Sequence, residues 1–414
     1  MFKIIRVPAI LDSFFRSLTT EFHWDHFEYF RLLVLSIAVA WGRRNVSNLY
    51  RHLDADTHRT RFNNFFVVAR WDGARCLRVK AGELLADLDL QTGDVVYLIL
   101  DDSVSRKRGK QMEAVGYLHD PVSGRTVLGH QYVTAVIKAR GHVIPFGIRL
   151  YVKKEHAKKK GAQGVKVAFR KLTELAADLI REFVPPAGVK VVVLFDSYYL
   201  CPKVVAACRE QGFHYVSVLK RNRNLWKNGR KLKAGSYGLR TYRRNPKQHL
   251  KNSGGNRKAH YYLVDAGWMD VGDLGPHHVV FSRKGQDPSI LGIVTDDRRL
   301  TARGMVCAYS ERWGIEVFFK DAKQLLGLGQ YQNGSYAAAV THLHLVCFAY
   351  ALLTHLRMKG EKGKRKRNHA ATWPSTSEAQ NGLRRLVWRD LVDYLEELPS
   401  GTSFVKELER LLVA

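Results

Sequence analysis

Two short apolar runs, each followed directly by an aspartate, constrain the fold of this chain more than any other feature. Residues 95–100 precede Asp101 and Asp102, and residues 189–195 precede Asp196. Apolar runs of this length that are rich in β-branched residues are typical of strands buried on both faces. Because both runs deliver an acid at their carboxyl end, they predict an open α/β sheet whose functional groups lie at that edge.

The segments around these runs predict a ribonuclease-H-like mixed sheet. Two further strands with β-branched and aromatic residues follow the first run, and a helix separates them from the second. The predicted order is β-β-β-α-β-α-β, with an acid at the end of the first and fourth strands. The remaining predicted elements are strands 131–138, 142–152 and 215–219 and helices 165–182 and 202–211.

Changes in composition divide the chain into segments around this core. The first 90 residues have helical periodicity, and Gly, Asn, Arg and Lys become abundant after residue 222. The predicted segments are a helical N-terminal domain (1–90), the first part of the core (91–221), a β-rich insertion (222–300), the C-terminal core helices (301–357) and a basic linker with a final helix (358–414).

The net charge indicates a polyanionic partner. Lys and Arg number 67 against 38 Asp and Glu, which gives a formal charge of +29 spread along the chain. A charge of this size and distribution favours nucleic acid as the partner. Membrane binding is the weaker alternative, because the apolar stretches 32–41 and 345–353 are too short to span and the N-terminus lacks the pattern of a signal peptide. With five widely spaced cysteines, the cytoplasm is the expected location.

A stripe of ionisable residues at helical spacing lies near residue 316. Relative to Glu316 its members fall at −7, −4, +4 and +7, so one helical face would carry all of them. Several cations around one acid are typical of a site that binds a phosphate chain together with a metal. A solvent-exposed helix face with i,i+4 ion pairs explains the same pattern equally well. The members are Tyr309, Arg312, Glu316, Lys320 and Lys323.

The acids at the strand ends and in the stripe suit phosphodiester chemistry. Such reactions use two divalent metals about 3.5–4 Å apart, and Mg²⁺ takes a few carboxylates while keeping several waters. The candidate ligands are Asp101 or Asp102, Asp196 and Glu316. A single aspartate at a strand end is usually a turn or cap residue, but two of them together with Glu316 favour a metal site.

These residues also carry a resemblance to a known family. The chain resembles the DDE transposases of bacterial insertion sequences, in the group marked by a Tyr-x2-Arg-x3-Glu-x6-Lys signature. Tyr309, Arg312, Glu316 and Lys323 match all four positions and spacings, and Leu-Ile-Leu-Asp101 and Val-Leu-Phe-Asp196 resemble the segments with the first two acids. The similarity covers roughly residues 25–355.

The resemblance implies a ribonuclease-H-like core that cleaves the ends of an element with two Mg²⁺ per site, Mn²⁺ substituting, and joins the freed 3′-OH to target DNA. It implies that Asp101, Asp196 and Glu316 hold the metals, with Asp102 as the alternative first acid. It further implies terminal inverted repeats and target DNA as partners, a homodimer in a synaptic complex and a bacterial cytoplasmic location.

Several cations are predicted to contact DNA. By the resemblance, Tyr309, Arg312 and Lys323 would contact phosphates near the cleavage site, whereas Lys320 is included only for its helical spacing. A basic run follows the first acid, and a basic pair lies in the segment after the second. These residues are Arg106, Lys107, Arg108, Lys110, Lys220 and Arg221.

Other features are compatible with binding but also with ordinary structure. Residues 46–70 could form a helix-turn-helix-like reader of the terminal repeats. Trp226 and Trp268 could stack on an unpaired base, although core packing explains them as well. The basic runs 153–160 and 357–367 are either solvated faces or anchors for DNA.

The sequence is therefore compatible with three functions. The first is an active transposase, which the acids and the stripe favour. The second is a catalytically inactive or domesticated copy that binds DNA as a regulator. The third is a host nuclease that shares the fold.

Overall fold

A mixed sheet carries the fold of the computed structural model, which describes residues 2–120, 123–158, 160–252, 259–366, 374–400 and 402–413. Within these residues the sheet has twelve strands. They are β1 (Val95–Arg106), β2 (Gly116–Asp120), β3 (Arg125–Ala139), β4 (His142–Tyr151), β5 (Lys190–Leu194), β6 (His214–Val218), β7 (Asn224–Lys227), β8 (Arg230–Lys233), β9 (Gln248–Asn252), β10 (Ala259–Val271), β11 (Pro276–Lys284) and β12 (Leu291–Thr295).

Helices flank the sheet and form the N-terminal and C-terminal regions. Those before the sheet are α1 (Asp12–Phe15), α2 (Trp24–Val39), α3 (Val46–Arg51), α4 (Arg59–Val68) and α5 (Gly73–Ala86). Those within and after it are α6 (Leu172–Arg181), α7 (Pro202–Glu210), α8 (Ala234–Arg244), α9 (Ala302–Ser310), α10 (Trp313–Gln324), α11 (Tyr336–Lys366), α12 (Thr376–Glu396) and α13 (Phe404–Leu411).

The central strands are arranged as the sequence predicts. β3 and β4 are antiparallel neighbours, β3 pairs antiparallel with β1, and β1, β5 and β6 run parallel. The parallel strands need helical crossovers, which α6 and α7 provide. The predicted mixed α/β fold with a helical N-terminal region is therefore confirmed.

Strand β1 differs from its prediction because it does not end at the acids. Its ladder with β3 continues to Arg106, which pairs with Gly129. The apolar pattern stops at Leu100 because the second half of the strand is only partly buried, so local periodicity hides its continuation. Asp101 and Asp102 consequently lie inside a strand and point to opposite faces of the sheet.

The strands of the predicted β-rich insertion extend the core sheet. β12 pairs antiparallel with β6, and β11 and β10 follow in order. The sequence also missed α8 and the short strands β7, β8 and β9. Helix α6 is shorter than predicted and begins at Leu172, where the Glu174 carboxylate accepts a hydrogen bond of 2.8 Å from the Lys171 backbone N–H.

The N-terminal helices share one hydrophobic core with the sheet. Phe30 of α2 is completely buried, and its ring centre lies 4.9 Å from that of Phe348 in α11 and 5.5 Å from that of Trp71. A continuous cluster of buried apolar side chains runs from these helices through β1 and β5. The first 90 residues are therefore packed onto the half of the sheet that contains β1 and β5.

Helix α11 is the central helix of this core. Its segment Tyr336–Gly360 is long and apolar enough to cross a membrane, but 89% of its most apolar window is buried inside the protein. This burial is typical of a core helix. The helix continues to Lys366, so the basic linker predicted from residue 358 is helical in its first part; residues 367–373 lie outside the described residues.

Candidate active site

Parallel pairing brings Asp101 and Asp196 to the same level of the sheet. The last paired residues of β1 and β5 in this ladder are Ile99 and Leu194. Each aspartate lies two residues further along the chain. Neighbouring strands are about 4.8 Å apart, so the two carboxyl groups lie side by side at the edge formed where β5 ends, although β1 continues beyond it.

Helix α10 carries Glu316 onto the same edge. Its buried face holds Ile315, Phe318 and Phe319, and the Phe318 ring centre lies 4.9 Å from that of Tyr350. Gly314 allows a close approach to the sheet, since a Cβ atom there would lie 3.0 Å from the Lys138 side chain. Tight packing of this kind fixes the position of Glu316, one residue beyond the buried Ile315.

Arg312 joins two of the acids across the site. Its Nη1 donates to Asp101 Oδ2 at 2.8 Å, and its Nη2 donates to Glu316 Oε1. The guanidinium carbon lies 5.8 Å from the centre of the Tyr309 ring. Three residues of the predicted signature and the first predicted acid are thus in one cluster.

Asp102 has a separate set of partners. The Tyr199 hydroxyl donates to Asp102 Oδ1 at 2.8 Å, and the Gln131 amide donates to Asp102 Oδ2 at 2.6 Å. Both carboxylate oxygens therefore accept a hydrogen bond from a protein side chain. No local pattern in the sequence marks Gln131 as part of a site, and only its place in the Asp-Ser-Tyr-Tyr segment 196–199 marks Tyr199.

Asp196 is held by the turn that follows β5. Its Oδ1 accepts hydrogen bonds from the backbone N–H groups of Tyr198 at 2.9 Å and Tyr199 at 3.4 Å. An aspartate that bonds to the backbone two residues on is typical of such turns. The side chains of the two neighbouring tyrosines have different surroundings: that of Tyr199 is buried, whereas that of Tyr198 is exposed.

Burial and repulsion from neighbouring carboxylates raise the pKa values of two of the acids, Asp101 and Asp196. Burial raises the pKa of Asp101 to about 6, and the charges of Asp196 and Asp102 add to this while Arg312 opposes it. Burial also raises the pKa of Asp196. Burial alone would lower the pKa of Arg312, but Tyr309, Asp101 and Glu316 outweigh it, so the pKa is raised and the guanidinium stays charged.

The donor atoms fit Mg²⁺ in kind. Carboxylate oxygens are the ligands that Mg²⁺ prefers, and a cation would relieve the repulsion among the acids. In this conformation, however, Arg312 bridges Asp101 and Glu316. Across the described part of the chain, no three Asp, Glu, His or Cys side chains lie close enough together to share one ion. A metal shared by the three acids would therefore require Arg312 to move.

The predicted single helical stripe is wrong in one respect. Tyr309 belongs to α9, which ends at Ser310, and α10 begins at Trp313. A tight turn joins them, in which the Arg312 N–H bonds to the Tyr309 carbonyl at 3.1 Å. Because this turn stays close to helical geometry, Tyr309 and Arg312 remain neighbours although the helix is interrupted.

Comparison with known proteins decides the family. A family model described as "DDE superfamily endonuclease" matches residues 13–263, which is more than half of the chain. The chain belongs to this family. The match includes Asp101, Asp102 and Asp196 and ends before Glu316, so it does not extend to the signature helix. A search of curated proteins gave no significant match.

Membership makes this chain a DDE endonuclease with a ribonuclease-H-like core and DNA as its substrate. Enzymes of this kind generally use divalent metals, which agrees with the donor atoms at the sheet edge. The family match supports the sequence-based identification of a DDE transposase.

The cations predicted to contact DNA have different surroundings in the endonuclease. Lys323 Nζ donates to Ser103 Oγ at 2.7 Å, beside the first acid, and burial lowers the pKa of Lys323. Arg106 pairs with Asp120, its Nη2 lying 2.6 Å from Oδ2. Lys220 lies 5.4 Å from the centre of the Tyr198 ring. Exposed side chains include those of Arg108, Lys110, Lys220, Arg221 and Lys320.

Lys107 points into the protein instead of joining this basic surface. Its Nζ donates to the carbonyls of Gly329 at 2.7 Å and Tyr331 at 2.9 Å. Burial lowers the pKa of Lys107 to about 7. The loop after α10 is thereby fastened to β1, and Gly329 is required there because a Cβ atom would collide with Ser105. Lys107 therefore supports the position of α10, in contrast to its predicted contact with DNA.

Replacing Lys107 and Arg108 in separate variants should distinguish a structural role from a role in DNA binding. We expect Lys107→Met to destabilise the protein by about 1–3 kcal/mol, since two buried carbonyls lose their donor. Arg108→Gln should leave stability unchanged but weaken DNA binding. The slope of log affinity against log salt concentration should fall by about the amount expected for one phosphate contact. Urea unfolding and duplex binding at several salt concentrations measure both effects. Equal losses of DNA affinity in the two variants would contradict the assignment.

Proposed function

We propose that this DDE endonuclease is a transposase that cleaves the ends of an insertion sequence and joins the freed 3′-OH to target DNA. The observation that carries the proposal is the cluster of Asp101, Asp196, Arg312 and Glu316 at one edge of the sheet. It combines the acids needed for metal-dependent phosphodiester chemistry with a cation suited to phosphate.

Asp101, Asp196 and Glu316 would hold the metal ions, with Asp102 as the alternative to Asp101. Two bound Mg²⁺ would activate the attacking oxygen and stabilise the leaving oxygen, and Mn²⁺ would substitute. The buried environment of Asp101 strengthens its interaction with any cation because the local dielectric constant is low. Tyr309, Arg312 and Lys323, with Lys320 at the exposed surface, would hold the DNA phosphates around the scissile bond.

The same proposal assigns partners to the remaining regions. The exposed cations Arg108, Lys110, Lys220 and Arg221 would follow the backbone of the terminal inverted repeats or of the target. Helices α3 and α4 would read the repeats, as the sequence of residues 46–70 predicts. A homodimer would pair the two ends in the bacterial cytoplasm.

One observation favours a second candidate, a DNA-binding regulator without catalysis. The Arg312 ion pairs occupy Asp101 and Glu316, and an inactive copy could retain them for stability alone. This candidate keeps the basic surface but needs no metal. It therefore predicts DNA binding that is the same with and without divalent ions.

Cleavage of labelled DNA tests the proposal. The substrate is a duplex carrying the end of the element that encodes this chain, with Mg²⁺, Mn²⁺ or excess EDTA, and the control duplex has the same composition with the repeat scrambled. We expect cutting at the repeat boundary only with metal, followed by joining to a second duplex. Binding without cutting under every condition would support the regulator, and equal cutting of the scrambled duplex would indicate a general nuclease.

A further inference from the structure

Arg312 occupies the position between two acids that come from different parts of the fold. One guanidinium spans Asp101 on β1 and Glu316 on α10. The Nη1–Oδ2 distance of 2.8 Å is that of a charge-assisted hydrogen bond. The side chains of these three residues are 18%, 23% and 33% exposed, so the bridge lies at the surface of the site and not beneath it.

A guanidinium in this position competes with a divalent cation. Each oxygen that accepts from Arg312 has one lone pair less for a metal, and the two positive charges would repel each other across a poorly solvated site. The competition is specific to Arg312, because Lys320 on α10 is exposed and Lys323 bonds to Ser103 instead.

A DNA phosphate is a suitable alternative partner for the same guanidinium. Arginine pairs with phosphate through two parallel hydrogen bonds, as it does with carboxylates. Arg312 lies in the turn before α10 and its side chain has several rotatable bonds, and the partly exposed bridge leaves a path by which a phosphate could approach it.

We propose that Arg312 is an exchangeable counter-ion that makes metal binding depend on DNA. A phosphate of the bound DNA draws the guanidinium away from Asp101 and Glu316, and the released carboxylates then bind divalent metal more tightly. By thermodynamic linkage, metal in turn strengthens DNA binding by the same factor. This inference rests on the proposed function, since it takes Asp101 and Glu316 as metal ligands. Its consequence is an endonuclease that takes up metal mainly when DNA occupies the site.

Equilibrium binding of Mn²⁺ tests this inference without measuring activity. The free ion is followed by its electron paramagnetic resonance signal while it is titrated into wild type, Arg312→Gln and Arg312→Lys. Without DNA, we expect Arg312→Gln to bind Mn²⁺ about tenfold more tightly than wild type. Arg312→Lys should also bind more tightly, because lysine cannot bridge two carboxylates with a planar fork. Thermal unfolding checks that each variant is folded.

Lys320→Gln, measured without DNA, is the matched control, because it removes one positive charge from an exposed side chain on α10. It should change the Mn²⁺ affinity by less than about twofold, since an exposed charge is screened. Adding the element-end duplex, with the signal of the duplex alone subtracted, should tighten Mn²⁺ binding by a clearly larger factor in wild type than in Arg312→Gln, in which only the metal-ligating phosphate oxygens contribute.

The outcomes separate this inference from the proposed function. If Asp196→Asn and Glu316→Gln abolish Mn²⁺ binding but Arg312→Gln binds no more tightly than wild type, the metal site stands and the counter-ion role is overturned. If Mn²⁺ binding is insensitive to both acid variants, the proposed metal site fails and the inference fails with it.

Discussion

Replacing Asp101 by asparagine is expected to reduce DNA cleavage by roughly 10³-fold or more, because the loss of metal-based charge stabilisation amounts to several kcal/mol. Replacing Asp102 should have a much smaller effect. Asp101 shares Arg312 with Glu316, whereas Asp102 accepts hydrogen bonds from Tyr199 and Gln131 on both of its oxygens. The side chains of adjacent strand residues point to opposite faces, so only one of the two can face α10.

Single-turnover cleavage of an element-end duplex measures this difference. Both variants are assayed with Mg²⁺ and with Mn²⁺, and duplex binding is measured alongside to show that substrate binding survives. A variant that binds normally and does not cut has lost a group needed for the reaction itself. Loss of cutting in Asp102→Asn together with normal cutting in Asp101→Asn would reverse the assignment of the first acid.

Replacing Phe30 by alanine is expected to destabilise the whole protein by about 3–5 kcal/mol, the usual range for a buried phenylalanine. Its ring centre lies within 6 Å of those of Phe15, Phe22, Trp71 and Phe348, the last of which belongs to α11. Since α11 packs against the sheet, a cavity at Phe30 weakens the contact between the N-terminal helices and the catalytic core.

Urea unfolding followed by fluorescence and by circular dichroism tests this prediction. A single transition should shift to lower urea concentration with little change in slope. Phe404→Ala is the control, because Phe404 is 52% exposed and its loss should change stability by less than about 0.5 kcal/mol. Two separate transitions, with only one of them shifted, would show that residues 1–90 unfold as an independent domain.

Local patterns in the sequence were sufficient for the elements that carry the acids. A buried run of β-branched residues predicts a strand wherever it occurs, and β1 and β5 were found in this way. Helical spacing likewise identified α10 and the residues on its charged face. Elements without such a pattern were missed or misplaced, among them β7, β8, β9 and the half of β1 beyond Leu100. Strands that are short or only partly buried, such as β7, β8 and this half of β1, carry no continuous apolar run that would mark them in the sequence.

The sequence by itself predicted the strands that carry Asp101, Asp102 and Asp196 and the helix that carries Glu316, because strand and helix periodicity are encoded in short segments. Only the tertiary structure decided that Arg312, 211 residues from Asp101, bridges two of these acids. Only the tertiary structure turned Lys107 inward onto the loop after α10. The physical reason is that the partner and the charge environment of a side chain depend on atoms brought together by folding, about which the spacing of residues along the chain carries no information.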